Sequence, residues 1–404
     1  MGGALRCRAC FLRRKPTAHS GYGPSPSYFS FAMKILLLGE YSNVHHTLAL
    51  GLRSLGHEVT VASNGDGWKS YPRDIDLRRP SKSVWHGLYY YLKMRASWKR
   101  FSGYDVVQLI NPIFLDLKAE RHPWFYRYLR QHNKRVVLGA FGMDHYYVKA
   151  CLDFKTFRYS DFNMGQHERH SADNDEFKRD WLHGTKGLWG DYVVHDADAI
   201  VAGLYEYYVS YQAHCPCAGK LHFIPFPIVC GCEEPDFTRQ AGAPLRIFIG
   251  VQRARSVYKG TDIMLRAVER LERDFPDEVQ VARAESVPFS RYVEMMEHSE
   301  VILDQLYSYT PAMNALEAMS RGLITVGGGE PEHYQLLGES TLRPIINVQP
   351  HEQSVYEALV HLLRHRDTLV PQLRRESVLY VRRHHDHIRV ARAYESLYRQ
   401  LLTP

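Results

Sequence analysis

From residue 33 onward, short unbroken apolar runs alternate with amphipathic stretches. KILLLG (34–39), LRIFIGVQ (245–252) and LITV (323–326) are mostly apolar throughout, and HEVTVAS (57–63), YDVVQLINP (104–112) and KRVVLGAFG (134–142) centre on apolar, β-branched residues. That pattern predicts strands covered on both faces, as in a parallel sheet. Between and after them, TLALGLRSLG (47–56), TDIMLRAVERLERDF (261–275) and the tail stretches SVYEALVHLLRHRDTL, PQLRRESVLYVRRHH and IRVARAYESLYRQLL repeat apolar residues at helical spacing. SRYVEMMEHSEVILDQL (290–306) predicts a helix and then a strand, whereas EVQVARA (278–284) makes a weak strand at best. The alternation implies an α/β class with doubly wound sheets. A chain of 404 residues exceeds one ordinary core, so two domains are expected. They span 33–227 and 244–385, joined by a linker over 228–243 that follows the stiff Pro225-Phe226-Pro227 run. A last helix over 386–404 either packs locally or crosses back to the first domain.

The stretch from Asp304 to Glu339 concentrates candidate chemistry. Thr310 suits an N-cap, Pro311 the first helical position and Gly322 a C-terminal stop, so a helix is predicted over 310–322. Ala312, Ala315, Leu316 and Met319 form its buried stripe, leaving Asn314, Glu317 and Arg321 on another face. Free N–H groups at the helix start, around Thr310 and Ala312, make a seat for phosphate. The Gly327-Gly328-Gly329 run after LITV lets backbone approach a ligand. Open parallel sheets bind ligands beyond the carboxyl ends of their strands. Ser42, Asn43, His45 and His46 after the first strand, and Asp144 and His145 after the fourth, are therefore cleft candidates. Capping and ordinary loop polarity explain the same residues equally simply. Glu317 likewise has a plain alternative, an i, i+4 ion pair with Arg321.

Composition narrows the reading. Hydrophobic residues make up 45% and charged residues 24%, and the formal charge is +7. A mildly basic chain fits anionic substrates such as nucleotide diphosphates, or a loose attraction to an acidic membrane surface. Its Lys and Arg residues are scattered, which argues against nucleic acid as partner, and no apolar run approaches a membrane span. The first loop lacks GxGxxG spacing, against a nicotinamide or flavin enzyme. Residues 1–32 carry Arg6, Arg8, Arg13, Arg14 and Lys15 with no acid, then SGYGPSPS. This reads as a disordered basic leader, either an organellar peptide or the product of an upstream start before Met33. Seven cysteines include the pairs Cys215-Cys217 and Cys230-Cys232, which fit free thiols in a reducing cytoplasm better than a zinc knuckle.

LEAMSRG, LITV and GGEPE together resemble the donor-site segment of retaining GT-B glycosyltransferases, nucleotide-sugar family 4. The opening strand, loop and helix ending in LGHEVTV resemble that family's first domain, and 225–227 its hinge. The resemblance implies two Rossmann-like domains facing across a cleft, and transfer of a hexose-type unit from a nucleotide diphosphate sugar to a glycan or lipid-linked acceptor, with retention of configuration. A role in polysaccharide biosynthesis, in the cytoplasm or peripherally at the inner membrane face, goes with it. It assigns the donor diphosphate to Arg253, with Arg255 its rival, to Lys259 and to the helix start at Thr310 and Ala312. Glu317 takes the nucleotide ribose, and Glu330 and Glu332 the sugar hydroxyls. Asp144, His145 and Glu330 are the candidate catalytic groups. Tyr309 stands where relatives carry a second sugar-binding Glu, eight positions before Glu317. The aromatic, charged stretch 151–189 becomes an acceptor-side elaboration whose rings stack on sugars. No cofactor or metal is expected, since paired cations do a metal's work and no DxD pattern follows a strand. Two alternatives share the architecture: a nucleotide-sugar binder without transferase activity, and a nucleotide-sugar epimerase.

Overall fold

The structure, a computed structural model, describes residues 31–231 and 236–403. Met33–Pro404 forms one compact unit. The basic leader expected over 1–32 falls almost wholly outside the described residues, as does Cys232 of the second cysteine pair.

Two parallel sheets organise this unit. In the first, the order from edge to edge is Ile75–Asp76, Glu58–Ser63, Lys34–Leu38, Val106–Leu109, Arg135–Ala140, Ala199–Ala202 and Leu221–Phe223. Lys34–Leu38 lies centrally, with Ile35 beside Val59 on one side and Val106 on the other. The unbroken apolar runs have a direct cause here. Ile35, Leu37, Val59, Val61, Val106 and Val137 point into one layer, and Leu36, Leu38, Val107, Leu109 and Leu138 into the other, so neither face meets water. The second sheet runs Val279–Glu285, Leu245–Val251, Val301–Leu303, Ile324–Gly327 and Ile346–Asn347. Val279–Glu285, weak in the sequence, is a full strand pairing residue for residue with Leu245–Val251. It is an edge strand with Gln280 and Arg283 exposed, so its side chains carry little of the burial signal while its backbone is fully paired.

Three helices end the chain: Glu352–Arg364, Arg366–His384 and His387–Leu402. The part built on the first sheet is the first lobe and the part built on the second sheet is the second lobe, and the last helix lies against the first. Tyr398 donates its hydroxyl to Gln108 Oε1 at 2.5 Å, and His57 Nε2 sits 3.3 Å from Glu395. At the break before this helix, Ile228 N–H donates to the His385 carbonyl and His387 N–H to the Ile228 carbonyl, so the connector and the returning helix are stitched together. The helix Val44–Ser54 packs so closely on the last one that a Cβ on Gly51 would lie 2.3 Å from the His387 carbonyl oxygen. No helix among the described residues is long and apolar enough to cross a membrane. A Gly51→Ala variant should lose roughly 1–3 kcal/mol of stability through overpacking. Urea unfolding measures this, and an unchanged midpoint would mean that the two helices do not meet at this residue.

Candidate functional site

The loop after the first strand is built around Glu40. Its carboxylate accepts from His45 N–H at 3.1 Å and His46 N–H at 2.9 Å, which covers the start of the helix Val44–Ser54. Burial pushes Glu40 up to about 8, against the opposing pull of those two donors. Ser42 and Asn43 take left-handed backbone angles, φ 50° and 72°, and neither side chain caps the helix. Ser42 N–H instead donates to Asp66 at 2.9 Å, and Lys69 Nζ lies 3.3 Å from its hydroxyl. His45, offered as a cleft residue, is turned fully inward, because its Nδ1 bonds the Gly39 carbonyl at 2.8 Å and Gln108 lies 3.4 Å from Nε2. His46 stays half-buried, its pKa lowered chiefly by burial.

Asp144 and His145 are also committed to the fold. Asp144 caps the helix His145–Cys151 by accepting from Tyr147 N–H at 2.9 Å, accepts the Tyr211 hydroxyl at 2.8 Å, and is only 1% exposed. Burial raises it to about 6. His145 Nδ1 lies 2.8 Å from the Trp181 carbonyl. Asp144 is thus buried in a capping role, while His145 is half-buried with its Nδ1 engaged.

In the second lobe the key helix begins later than predicted, spanning Met313–Ser320 with Ala312 at the N-cap position and no side-chain cap. Thr310 does not cap it. A carboxylate from the first lobe, Glu206, has claimed that turn: its Oε1 accepts from Ser308 Oγ at 3.0 Å, Tyr309 N–H at 2.6 Å and Thr310 N–H at 3.0 Å, and its Oε2 accepts from the Thr310 hydroxyl. The phosphate seat expected at Thr310 is thus already filled by a carboxyl group of the chain itself. Burial raises the Glu206 pKa while these donors lower it. The Gly327–Gly329 run serves internal packing. A Cβ on Gly328 would lie 2.1 Å from the Ser308 carbonyl oxygen, and Gly329 N–H donates to Asn347 Oδ1.

The two arginines considered for the diphosphate separate. Arg253 points outward, 83% exposed, in an ion pair with Glu285. Arg255 lies over the Tyr258 ring at 5.0 Å and, like Lys259, has no ion-pair partner among the described residues. The Lys259 pKa is lowered, first by burial and then by the charges of Arg255 and Lys69, while Asp304 opposes. Lys69 belongs to the first lobe, so Lys259 feels both halves of the molecule. Glu317 makes the i, i+4 pair with Arg321 at 2.7 Å. Its charge also adds to the rise in the Tyr71 phenol pKa, which burial dominates.

On the expected sugar side, Glu330 and Glu332 are held by a first-lobe residue that the sequence reading did not single out, Arg158. Its guanidinium reaches Glu330 Oε2 at 2.8 Å and pairs with Glu332, which holds the Glu332 carboxyl below its usual range. Tyr159 donates to the other Glu330 oxygen, and Gln349 Nε2 lies 3.2 Å from it. Tyr309 accepts the Arg158 N–H on its hydroxyl at 2.8 Å and stacks on Tyr205, ring centroids 5.5 Å apart. Burial pushes its phenol up to about 12. Beside it, Asp161 accepts the hydroxyls of Tyr147 at 2.8 Å and of Tyr258, from the second lobe, at 2.7 Å. The aromatic rings of 151–189 are therefore not open platforms: Phe157, Tyr159, Phe162 and Trp181 are buried in one cluster with Tyr309. Glu206 left a faint trace in the sequence, a lone acid within LYEYYVSY. Arg158 left none, since its partners lie more than 170 residues away.

The metal-spaced cluster found among the described residues is Glu168, His170 and Asp175. The Lys178 ammonium already pairs with Glu168 and with Asp175.

No family model matches the chain, and no curated protein matches it in sequence. Solved structures do match in fold. Sucrose-phosphate synthase from Thermosynechococcus elongatus superposes with a TM-score of 0.60 at 14% identity, over 91% of this chain and 99% of that one. The catalytic domain of starch synthase IV from Arabidopsis thaliana, bound to ADP and acarbose, gives 0.57 at 10% identity over 93% and 100%. HepE from Anabaena, in complex with UDP-glucose, gives 0.55 at 12% identity over 90% and 99%. The fold is GT-B. Within this GT-B chain the loops just described lie at the carboxyl ends of strands from both sheets, where such sheets place ligands.

His45 supplies a pH test of the site's framework. Burial pulls its pKa from 6.5 to about 4, so the folded chain binds fewer protons than the unfolded one between those values. Its contribution to stability is full above the unfolded value and is lost as pH falls toward the folded one. His45→Gln should flatten the acid decline of the urea midpoint by up to ~1.4 kcal/mol per pH unit in that window. The other buried histidines remain in the variant, so an unaltered slope would place a charged His45 in the fold.

Proposed function

We propose that this chain is a nucleotide-sugar-dependent glycosyltransferase that moves a hexose-type unit, with retention, onto a glycan or lipid-linked acceptor. One observation carries the reading: half-buried Lys259 and exposed Arg255, four residues apart in one turn, have no ion-pair partner among the described residues, and the charges of Arg255 and of first-lobe Lys69 both act on Lys259. A half-buried ammonium with no carboxylate within ion-pairing distance favours an anionic ligand. The ligand-bearing GT-B structures hold ADP in one case and UDP-glucose in another, which supports a nucleoside diphosphate as that anion. In this scheme Arg255 and Lys259 stabilise the charge that grows on the diphosphate as the glycosidic bond breaks, and Asp304 tunes the Lys259 ammonium. Glu317 exchanges Arg321 for the ribose hydroxyls, its 41% exposed side chain being free to turn. The acceptor hydroxyl attacks from the face the diphosphate leaves. Glu330 and Glu332 reach sugar hydroxyls once Arg158 lets go.

A second reading has its own support. With Glu206 seated at Thr310 and Arg158 closed on Glu330 and Glu332, the sugar side is filled by the chain's own groups, which favours a nucleotide-sugar binder without transfer. A thermal-shift screen with UDP-, GDP- and ADP-sugars, followed by turnover with and without acceptor, separates the readings. Conversion of the donor's sugar without acceptor and without release of nucleoside diphosphate would identify an epimerase.

With the donor found, Lys259→Ala and Arg255→Ala should each lower kcat/KM on the order of 10²–10³-fold. Arg253→Ala should stay near wild type, because that side chain faces solvent and Glu285. Full activity in Lys259→Ala would remove the assignment.

A further inference from the structure

The helix Val84–Ser97 is apolar on two opposite sides. Tyr90 and Met94 face inward and are 1% exposed, continuing into buried Trp98. Outward, Val84 is 83% exposed, Trp85 79%, Leu88 51%, Tyr89 56% and Leu92 56%. At 100° per residue Trp85, Leu88, Tyr89 and Leu92 share one stripe. A helix apolar all round belongs in an interior, yet the protein covers only one side of this one.

The charges carried by the helix and the segments flanking it in the chain are all of one sign. Between Asp76 and Asp105 the chain has no acidic residue, while Arg78, Arg79, Lys82, Lys93, Arg95, Lys99 and Arg100 supply cations. Of the ion pairs among the described residues, only Arg78 with Asp76 involves any of these. The helical period sets Lys93 along one border of the stripe and Arg95 along the other, and exposed Lys99 and Arg100 follow in the turn after the helix. Arg95 also lies 4.1 Å over the neighbouring Trp124 ring, and Arg121 lies 5.2 Å over Tyr91, so the basic, aromatic character extends beyond the helix.

We propose that this face docks the protein on an anionic lipid bilayer, with the helix lying in the interfacial plane. Trp85 and Tyr89 are side-chain types that settle at the boundary between headgroups and acyl chains. Leu88 and Leu92 enter just below, and the bordering cations meet lipid phosphates. At 14 residues with Lys and Arg along it, the helix lies on the surface and does not span. Charge selects the occupant: a second copy placed by a two-fold axis would set this acid-free cationic border against itself, whereas an anionic bilayer neutralises it. The inference is independent of the transferase reading.

Co-sedimentation of the full chain with vesicles of phosphatidylcholine alone, or of phosphatidylcholine mixed with phosphatidylglycerol, tests it. Binding should need the anionic lipid and weaken with salt. Trp85→Ser with Leu88→Ser, and separately Lys93→Glu with Lys99→Glu, should each cut it on the order of tenfold or more. These side chains are exposed, so circular dichroism and thermal unfolding should match wild type, as should the donor-induced thermal shift. A chain that stays in the supernatant with anionic vesicles overturns the proposal. So does undiminished binding by both variants, or a wild-type dimer that Trp85→Ser converts to monomer.

Discussion

One buried carboxylate holds the two lobes in register. Glu206, on a first-lobe helix, accepts hydrogen bonds from two backbone N–H groups and two hydroxyls of the second-lobe turn 308–310. Bonds to a charged acceptor of this kind contribute roughly 1.5–3 kcal/mol each, and removing the acceptor strands donors that have no water to turn to. The position of the Met313–Ser320 helix, the burial of Tyr309 and the approach of Gly328 to Ser308 all follow from how this turn is held.

Around that anchor the segment 153–170 works as a strap between the lobes. Arg158 reaches Glu330 and Glu332, Asp161 takes the Tyr258 hydroxyl, and Arg169 donates to the Val257 carbonyl at 2.8 Å. The resulting polarity is lopsided. Glu330 and Glu332 are matched to first-lobe Arg158 and Tyr159, and the turn at Thr310 is matched to Glu206, but Arg255 and Lys259 have no ion-pair partner among the described residues. Arg255 is exposed and costs little unpaired, whereas the half-buried Lys259 ammonium gains from an anionic ligand that meets it.

Much of the architecture is legible in the chain. KILLLG, LRIFIGVQ and LITV are apolar at successive positions, which only a sheet covered on both faces rewards, and each forms its strand. The Lys259-Gly260 step and the stripe of Ala315, Leu316 and Met319 are equally local signals, and these three side chains are buried. Legibility ends where a residue's fate depends on a partner far along the chain. Thr310 has every local mark of an N-cap, yet Glu206 outcompetes that role from over 100 residues away. RARSVYKG puts Arg253 ahead of Arg255 for the diphosphate, and only the path of the turn sends Arg253 to Glu285 and Arg255 over Tyr258.

The sequence alone therefore determined the α/β class, the strongly apolar strands, the helical tail and the short list of charged groups. Each of these rests on periodicity or on neighbours within a few positions, where spacing stands in for distance. The tertiary structure alone decided which of those groups is paired, buried or left facing a ligand. Pairing is settled by which long-range partner arrives with the right charge and hydrogen-bonding geometry, and a linear pattern of residues does not encode that meeting.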